Sequence, residues 1–179
     1  MNSLINIWIN EIRRFNTSLH LVGPHVLKHL DVEIDNCLKL IKPIKEDILA
    51  DLGTGSGIPG IPYAVMNPGS EVKLIERSEN KCIFLRHSIS CMGLKNVEIL
   101  ETDPPVNDAG KFPAAISRAF SPKALLSRAV AAILENNGMF YYLASGSPLL
   151  DNRFLPLKCI DIGMPDRMKI YSYRFNPLK

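Results

Sequence analysis

The sequence lacks the features that mark secreted, membrane-spanning and metal-binding chains. No apolar run approaches the roughly 20 residues that a transmembrane helix needs, and the amino end has no small-residue cleavage site of a signal peptide. The four cysteines, at positions 37, 82, 91 and 159, form no Cys-x-x-Cys pair, so we expect them to be reduced and mostly buried. His20, His25 and His29 are close in sequence, but their spacing does not by itself predict a metal site. We therefore expect a cytoplasmic protein with no membrane partner and no bound metal.

A large excess of charge of one sign is also missing. The chain has 21 Lys and Arg against 18 Asp and Glu, a formal net charge of +3. This balance permits binding to nucleic acid but does not require it. A length of 179 residues is enough for one domain with a full hydrophobic core. No feature of the sequence indicates an interface between copies, so we expect a monomer.

Hydrophobic periodicity divides the chain into a helical extension, residues 1–46, and an α/β unit, residues 47–179. In the extension, helical spacing predicts a first helix around Leu4–Ile12, with Trp8 in the core, and a second over Val26–Ile41 that ends before Pro43. In the α/β unit, strands are predicted at 47–53, 71–76, 97–102, 114–119 and 138–145, helices at 58–66, 80–92 and 122–134, and a closing antiparallel pair at 157–163 and 167–175. This alternation predicts a mostly parallel seven-stranded sheet with helices on both faces.

A glycine-rich stretch, DLGTGSGIPGIP at Asp51–Pro62, follows the first strand of the α/β unit and opens its first helix. Ligands bind at this edge of open α/β sheets. Glycines allow a tight turn and let backbone N–H groups approach a ligand. The stretch, which we call the glycine loop, therefore predicts a ligand site.

Two classes of ligand match the spacing of the glycine loop. Gly55-x-Gly57-x-x-Gly60 fits the dinucleotide fingerprint, which is weak on its own. Asp51-x-Gly53-x-Gly55-x-Gly57 fits the loop of S-adenosylmethionine-dependent methyltransferases, in which the acidic residue faces the amino acid portion of the cofactor. We favour the second match because the first leaves Asp51 and Gly53 unexplained. A nicotinamide-dependent oxidoreductase remains the alternative, although no proton-donating Tyr-Lys or His-Asp arrangement stands out.

Glu76 stands at the end of the second predicted strand, 19 residues beyond Gly57. A carboxylate can accept two hydrogen bonds at once. Glu76 is therefore expected to accept both ribose hydroxyls of the cofactor. This feature fits both classes of ligand and does not separate them.

The stretch GSGIPGIP, with proline on both sides of Gly60, resembles the small-subunit ribosomal RNA guanine-N7 methyltransferase family, also known as glucose-inhibited division protein B. Further motifs agree in the same order. They are Phe15-Asn16, Lys28-His29-Leu30-Asp31, the run from Leu74 to Leu100, and Ser117-Arg118-Ala119-Phe120. The resemblance covers roughly residues 6 to 175.

The resemblance implies a Rossmann-like class I S-adenosylmethionine-dependent methyltransferase fold with an N-terminal helical extension. Such enzymes transfer a methyl group to N7 of a guanosine in 16S ribosomal RNA, so the implied partner is that RNA or the small ribosomal subunit. The family's cofactor contacts carry over to Gly53, Ile58 and Arg118, while Asp51, Gly55, Gly57 and Glu76 also follow from the loop. N7 of guanine has a lone pair and no proton to remove, so we expect alignment rather than catalytic residues. Arg118 is expected to hold an RNA phosphate or the cofactor carboxylate.

Three departures from the family pattern bear on activity. Asp103-Pro104-Pro105 replaces the usual Arg-small-Glu after the third strand, and proline has no N–H to donate, so Asp103 is the candidate for the adenine contact. Phe112-Pro113 replaces Phe-Asp, and Leu143-Ala144-Ser145-Gly146 lacks the lysine of the usual Leu-Lys-Gly. If that lysine meets RNA, affinity for phosphate falls.

Two further alternatives stay open, and the departures motivate the second of them. One is a methyltransferase for another RNA or a small molecule, and the other is a degenerate member that binds RNA or cofactor without turnover. An enclosed pocket would favour a small molecule. A basic face would favour RNA, and its expected members are Arg13, Arg14, Lys28, Lys81 and Arg86.

Overall fold

The computed structural model describes residues 3–120, 123–161, 163 and 168–178. Within these ranges the strands are β1 (Ile48–Leu52), β2 (Glu71–Glu76), β3 (Val97–Glu101), β4 (Phe112–Arg118), β5 (Leu134–Ala144), β6 (Phe154–Asp161) and β7 (Lys169–Phe175). They form one sheet in the order β3-β2-β1-β4-β5-β7-β6. The first five strands are parallel, and β7 is antiparallel to both of its neighbours. The predicted mostly parallel seven-stranded sheet is confirmed.

The helices are α1 (Ser3–Leu19), α2 (Pro24–Lys28), α3 (Leu30–Ile41), α4 (Gly60–Met66), α5 (Glu79–Met92) and α6 (Leu126–Ile133), with a short 3-10 turn at Lys123–Leu125. The prediction of a single helix over Val26–Ile41 is wrong, because the helix is interrupted at His29. No residue of α2 is buried, whereas α3 buries one face. Core packing therefore supports α3, and it does not require the helix to continue through His29 into α2.

Three further predicted boundaries shift. The helix after the glycine loop begins at Gly60 rather than Ile58, because the preceding residues belong to the turns of the loop. The helix predicted at 122–134 begins at Leu126, and Pro122 lies outside the described residues. Leu134 already has an extended backbone, with ψ 141°, and starts β5 four residues earlier than the predicted strand at 138.

Apolar side chains fill both faces of the sheet. One cluster joins α1, α3, α4 and α5 to the sheet, and Trp8 within it is fully buried, as expected for a core residue. The other cluster packs α6 against the opposite face. The extension thus shares a core with the sheet, and the division of the chain at residue 46 stays a prediction.

The cysteines are divided between the core and the surface. All four are free, with Cys37 and Cys82 buried and Cys91 and Cys159 exposed. The expectation of mostly buried thiols is therefore wrong for the last two. Within the described ranges, no helix is both long and apolar enough to cross a membrane. The same part of the chain holds no group of three or more metal-ligating side chains.

Candidate cofactor site

A cavity of about 230 Å³ opens at the carboxyl ends of β1, β2 and β3, where the end of β4 also reaches it. Of the residues predicted for the site, it is lined by Gly53, Glu76, Asp103, Pro104 and Pro105. The sequence motifs therefore converge on one place although they are up to 52 residues apart. Its apolar walls, which sequence reasoning did not identify, include Leu52, Ile75, Val106 and Phe120.

At two positions of the glycine loop a larger residue would force neighbouring side chains to shift. Gly57 has φ +99°, and a Cβ atom there would lie 2.5 Å from Cδ1 of Ile61. A Cβ atom on Gly60 would lie 2.3 Å from Cδ2 of Leu74 and 2.7 Å from Oδ2 of Asp51. These contacts are too short for real atoms, so glycine allows the loop to lie directly on β1 and β2.

Asp51 lies beneath the glycine loop and is fully buried. Its Oδ2 accepts hydrogen bonds from the Thr54 hydroxyl at 2.6 Å and from the Gly60 N–H at 2.8 Å. Burial raises the pKa of Asp51 to about 7, against the opposing effect of these two hydrogen bonds. Oδ1 has no hydrogen-bond partner among the described residues. Asp51 thus organises the loop from below, and a direct contact with a cofactor stays a prediction.

Glu76 joins the end of β2 to the glycine loop and is only 7% exposed. Its Oε2 accepts the Gly55 N–H at 2.9 Å, while Oε1 accepts the N–H groups of Arg77 at 3.0 Å and Ser78 at 2.9 Å. A carboxylate offers about four lone-pair sites. Three are occupied by the backbone, which leaves one at Oε2, and the contact of Glu76 with both ribose hydroxyls stays a prediction.

The segment after β3 forms another wall of the cavity. Pro104 and Pro105 line it and supply no N–H, while the carboxylate of Asp103 faces the guanidinium of Arg77 at 3.4 Å. The hydroxyl of Thr102, which also lines the cavity, is buried and has no partner within the described ranges. Sequence reasoning missed Thr102, although its position at the end of β3 was a signal. Its buried hydroxyl lies behind the surface of the cavity rather than on it.

Arg118 and Ile58 lie outside the lining of the cavity. Nη2 of Arg118 donates to Oε2 of Glu33 on α3 at 2.9 Å, and the two side chains are 17% and 14% exposed. Ile58 is buried in the core cluster with the helices of the extension. Their predicted contacts with cofactor or RNA stay predictions, and the structure adds the ion pair that fixes Arg118.

Carboxylates offset part of the predicted basic face. Arg13 pairs with Asp31, Arg14 lies 4.0 Å from the carboxylate of Glu11, and Arg86 lies 2.8 Å from that of Glu101. Lys81 instead lines the cavity, together with Arg77. Positive charge therefore adjoins the cavity itself, next to the acidic groups of Glu76 and Asp103.

Comparison with known proteins decides the family. The chain matches the family model GidB, rRNA small subunit methyltransferase G, over residues 1–161. The chain belongs to this family. A ribosomal RNA small subunit methyltransferase G from Stenotrophomonas maltophilia is 34% identical over 97 residues, which cover 54% of this chain and 46% of that one.

A second member of the family, from Acidothermus cellulolyticus, is 34% identical over 126 residues, which cover 69% of this chain and 56% of that one. The chain therefore spans about half the length of these curated relatives.

A crystal structure of a mutant of MtNAS in complex with S-adenosylmethionine has a TM-score of 0.69 at 13% identity, over 97% of this chain and 75% of that one. This likeness shows a shared fold.

Proposed function

We propose that this member of the GidB family transfers the methyl group of S-adenosylmethionine to N7 of a guanosine in 16S ribosomal RNA. The observation that carries the proposal is the joining of the glycine loop to the buried carboxylate of Glu76 at the edge of a cavity. Family membership supports the substrate. The proposed substrate is free RNA or the small ribosomal subunit in the cytoplasm, and the protein acts as a monomer.

The residues of the cavity fit the nucleoside part of S-adenosylmethionine. Oε2 of Glu76 has a site for a ribose hydroxyl, and Leu52, Ile75 and Val106 present apolar surface to an adenine ring. A volume of about 230 Å³ is below the roughly 300–1,000 Å³ of typical small-molecule sites. We therefore assign the nucleoside to the cavity and the amino acid portion to the open surface of the glycine loop.

The proposed reaction requires no general acid or base from this chain. The cofactor supplies an electrophilic methyl group, and N7 of guanine attacks it with an available lone pair. The task of the protein is to hold the two in line. The sulfonium loses its positive charge as the methyl group leaves, so strong negative charge nearby would oppose transfer. Burial raises the pKa of Asp51 to about 7, which lowers the average negative charge beneath the loop at neutral pH.

The test is incubation of the purified protein with tritiated S-adenosylmethionine and small ribosomal subunits from a strain that lacks the family enzyme. We expect label in 16S ribosomal RNA as N7-methylguanosine, located by borohydride and aniline cleavage. At a cofactor concentration near the wild-type KM, Glu76→Gln should strongly reduce incorporation, whereas the nearby exposed Glu79→Gln should retain it. Label at another nucleotide, or in a small molecule, would show that the proposed substrate is wrong.

The non-catalytic alternative has specific support in Pro104, Pro105 and Ala144, which replace family residues at the cavity and at the end of β5. It requires that the cofactor or RNA binds without methyl transfer. Binding of S-adenosylmethionine by a protein that leaves every subunit unlabelled would favour this function over the enzymatic one.

A further inference from the structure

A hydrogen bond from the helical extension reaches the middle of the glycine loop. The indole N–H of Trp8, on α1, donates to the backbone carbonyl of Ser56 at 3.0 Å, across 48 positions of sequence. Trp8 is fully buried and Ser56 is 4% exposed. The contact is therefore shielded from water and joins an element outside the α/β unit to the candidate cofactor site.

The rest of the loop is held mainly by the sheet. The N–H groups of Gly53 and Thr54 both donate to the carbonyl of Ile75, at 2.9 and 3.1 Å. Asp51 binds Thr54 and Gly60 from below, and Glu76 binds Gly55. Ser56 lies between these anchor points, inside a turn in which the Gly57 N–H donates to the carbonyl of Thr54 at 2.9 Å.

We propose that Trp8 is a positioning residue of the cofactor site, which it serves by fixing the Ser56 carbonyl and with it the course of the glycine loop. This inference rests on the proposed function, because it concerns the same cofactor. Trp8 is suited to the role because Ile5, Ile9 and Ile12 bury the same face of α1. The indole therefore has a fixed position from which to hold the loop.

Loss of the indole N–H would leave the Ser56 carbonyl buried without its donor, which is costly. The peptide between Ser56 and Gly57 would relieve this by turning its carbonyl towards water, which also breaks the hydrogen bond from the Gly57 N–H to the Thr54 carbonyl. Such a turn changes φ of Gly57, which is +99° in the structure. It also displaces Gly55, whose N–H is bound to Glu76. The loop would then meet the cofactor in a mixture of conformations.

The test compares Trp8→Phe with two matched variants. Trp8→Phe keeps an aromatic ring but removes the donor. Tyr63→Phe likewise removes one polar group from a fully buried aromatic residue. The hydroxyl of Tyr63 bonds to the backbone of Glu46, just before the amino end of β1 and away from the cavity. Ile5→Val removes volume from the same face of α1. For the wild type and all three variants we measure the dissociation constant for S-adenosylmethionine, KM and kcat. Unfolding curves and hydrogen exchange of residues 52–61 are measured as well.

We expect Trp8→Phe to raise the dissociation constant and KM for S-adenosylmethionine about tenfold or more, with kcat at saturation within about twofold. Both matched variants should lose stability but bind as the wild type does. An unchanged dissociation constant in Trp8→Phe would overturn the inference and leave Trp8 as a core residue only.

Hydrogen exchange separates this inference from the proposed function. If the wild type fails to bind S-adenosylmethionine, the proposed function fails, yet the ligand-free loop still reports on Trp8. Faster exchange at Gly55 and Gly57 in Trp8→Phe alone would support its role in holding the loop. Equal exchange in all variants would overturn it.

Discussion

The carboxylate of Glu76 accepts the backbone N–H of Gly55 at 2.9 Å, so the end of β2 and the glycine loop form one hydrogen-bonded unit. The same carboxylate accepts two further N–H groups, from Arg77 and Ser78. Three donors thus converge on a side chain that is 7% exposed. Because Oε2 has one remaining site, ligand binding and the order of the loop are expected to be coupled.

Replacement of Glu76 by Gln tests this coupling. An amide group would direct its own N–H groups at one or more of the three backbone donors, so the loop and the ligand site should both be perturbed. We expect the dissociation constant for S-adenosylmethionine to rise about 10- to 100-fold, the equivalent of about 1.4–2.8 kcal/mol. Calorimetric titration measures it, with Glu79→Gln as the control that should bind normally. Normal binding by Glu76→Gln would remove Glu76 from the site.

Gly60→Ala should destabilise the fold. The added Cβ would lie 2.3 Å from Cδ2 of Leu74 and 2.7 Å from the carboxylate of Asp51, so these two buried side chains must shift. Overpacking of this kind costs about 1–3 kcal/mol of unfolding free energy. Urea unfolding measures the loss. Gly69→Ala, where a Cβ would meet nothing within 4 Å, should stay within about 0.5 kcal/mol of the wild type. Equal stability of the two variants would contradict the packing described here.

Asp51 should make stability depend on pH. Its pKa in the folded protein, about 7, is above the ordinary value of 3.8, so the folded state holds this proton more tightly than the unfolded chain. The resulting stabilisation is fully present below pH 3.8 and is lost as pH rises to about 7, above which both states are ionised. Asp51→Asn removes the titration. We expect its unfolding free energy to fall less than that of the wild type between pH 4 and 7, and parallel curves would exclude the raised pKa.

The ion pair of Arg118 and Glu33 should contribute measurably to stability. Both side chains are largely buried, so their interaction is screened less than that of a surface pair. In a double-mutant cycle of Arg118→Gln and Glu33→Gln we expect a coupling energy of about 0.5–3 kcal/mol. The exposed pair of Arg86 and Glu101 is the control and should give less than about 1 kcal/mol. A coupling no larger than that of the control pair would show that α3 does not fix Arg118.

Local sequence pattern was enough to predict the parallel sheet and to place the glycine loop and Glu76 at one edge of it, whereas Asp103 to Pro105 were chosen through the family resemblance. Each depends on residues that are close in sequence or follow a strand end. The hydrogen bond between Trp8 and Ser56 spans 48 positions, and the ion pair between Glu33 and Arg118 spans 85, so no local pattern encodes them.

The errors in element boundaries have the same origin. His29 interrupts a continuous helical pattern, where α3 buries one face while α2 has only partly buried contacts with the core, such as Val26. Leu134 continues the apolar pattern of α6 but has the extended backbone of β5. In both cases tertiary contacts decide between conformations that the sequence alone leaves close in energy.

The central claim is that the glycine loop and Glu76 hold S-adenosylmethionine, and calorimetric titration of the purified protein tests it most directly. The titration is run in parallel with NAD and with Gly55→Asp, which adds a carboxylate where φ is +60° and where the N–H bonds to Glu76. We expect saturable binding of S-adenosylmethionine by the wild type alone and no response to NAD. Absence of binding by the well-folded wild type, or binding of NAD in its place, would contradict the account.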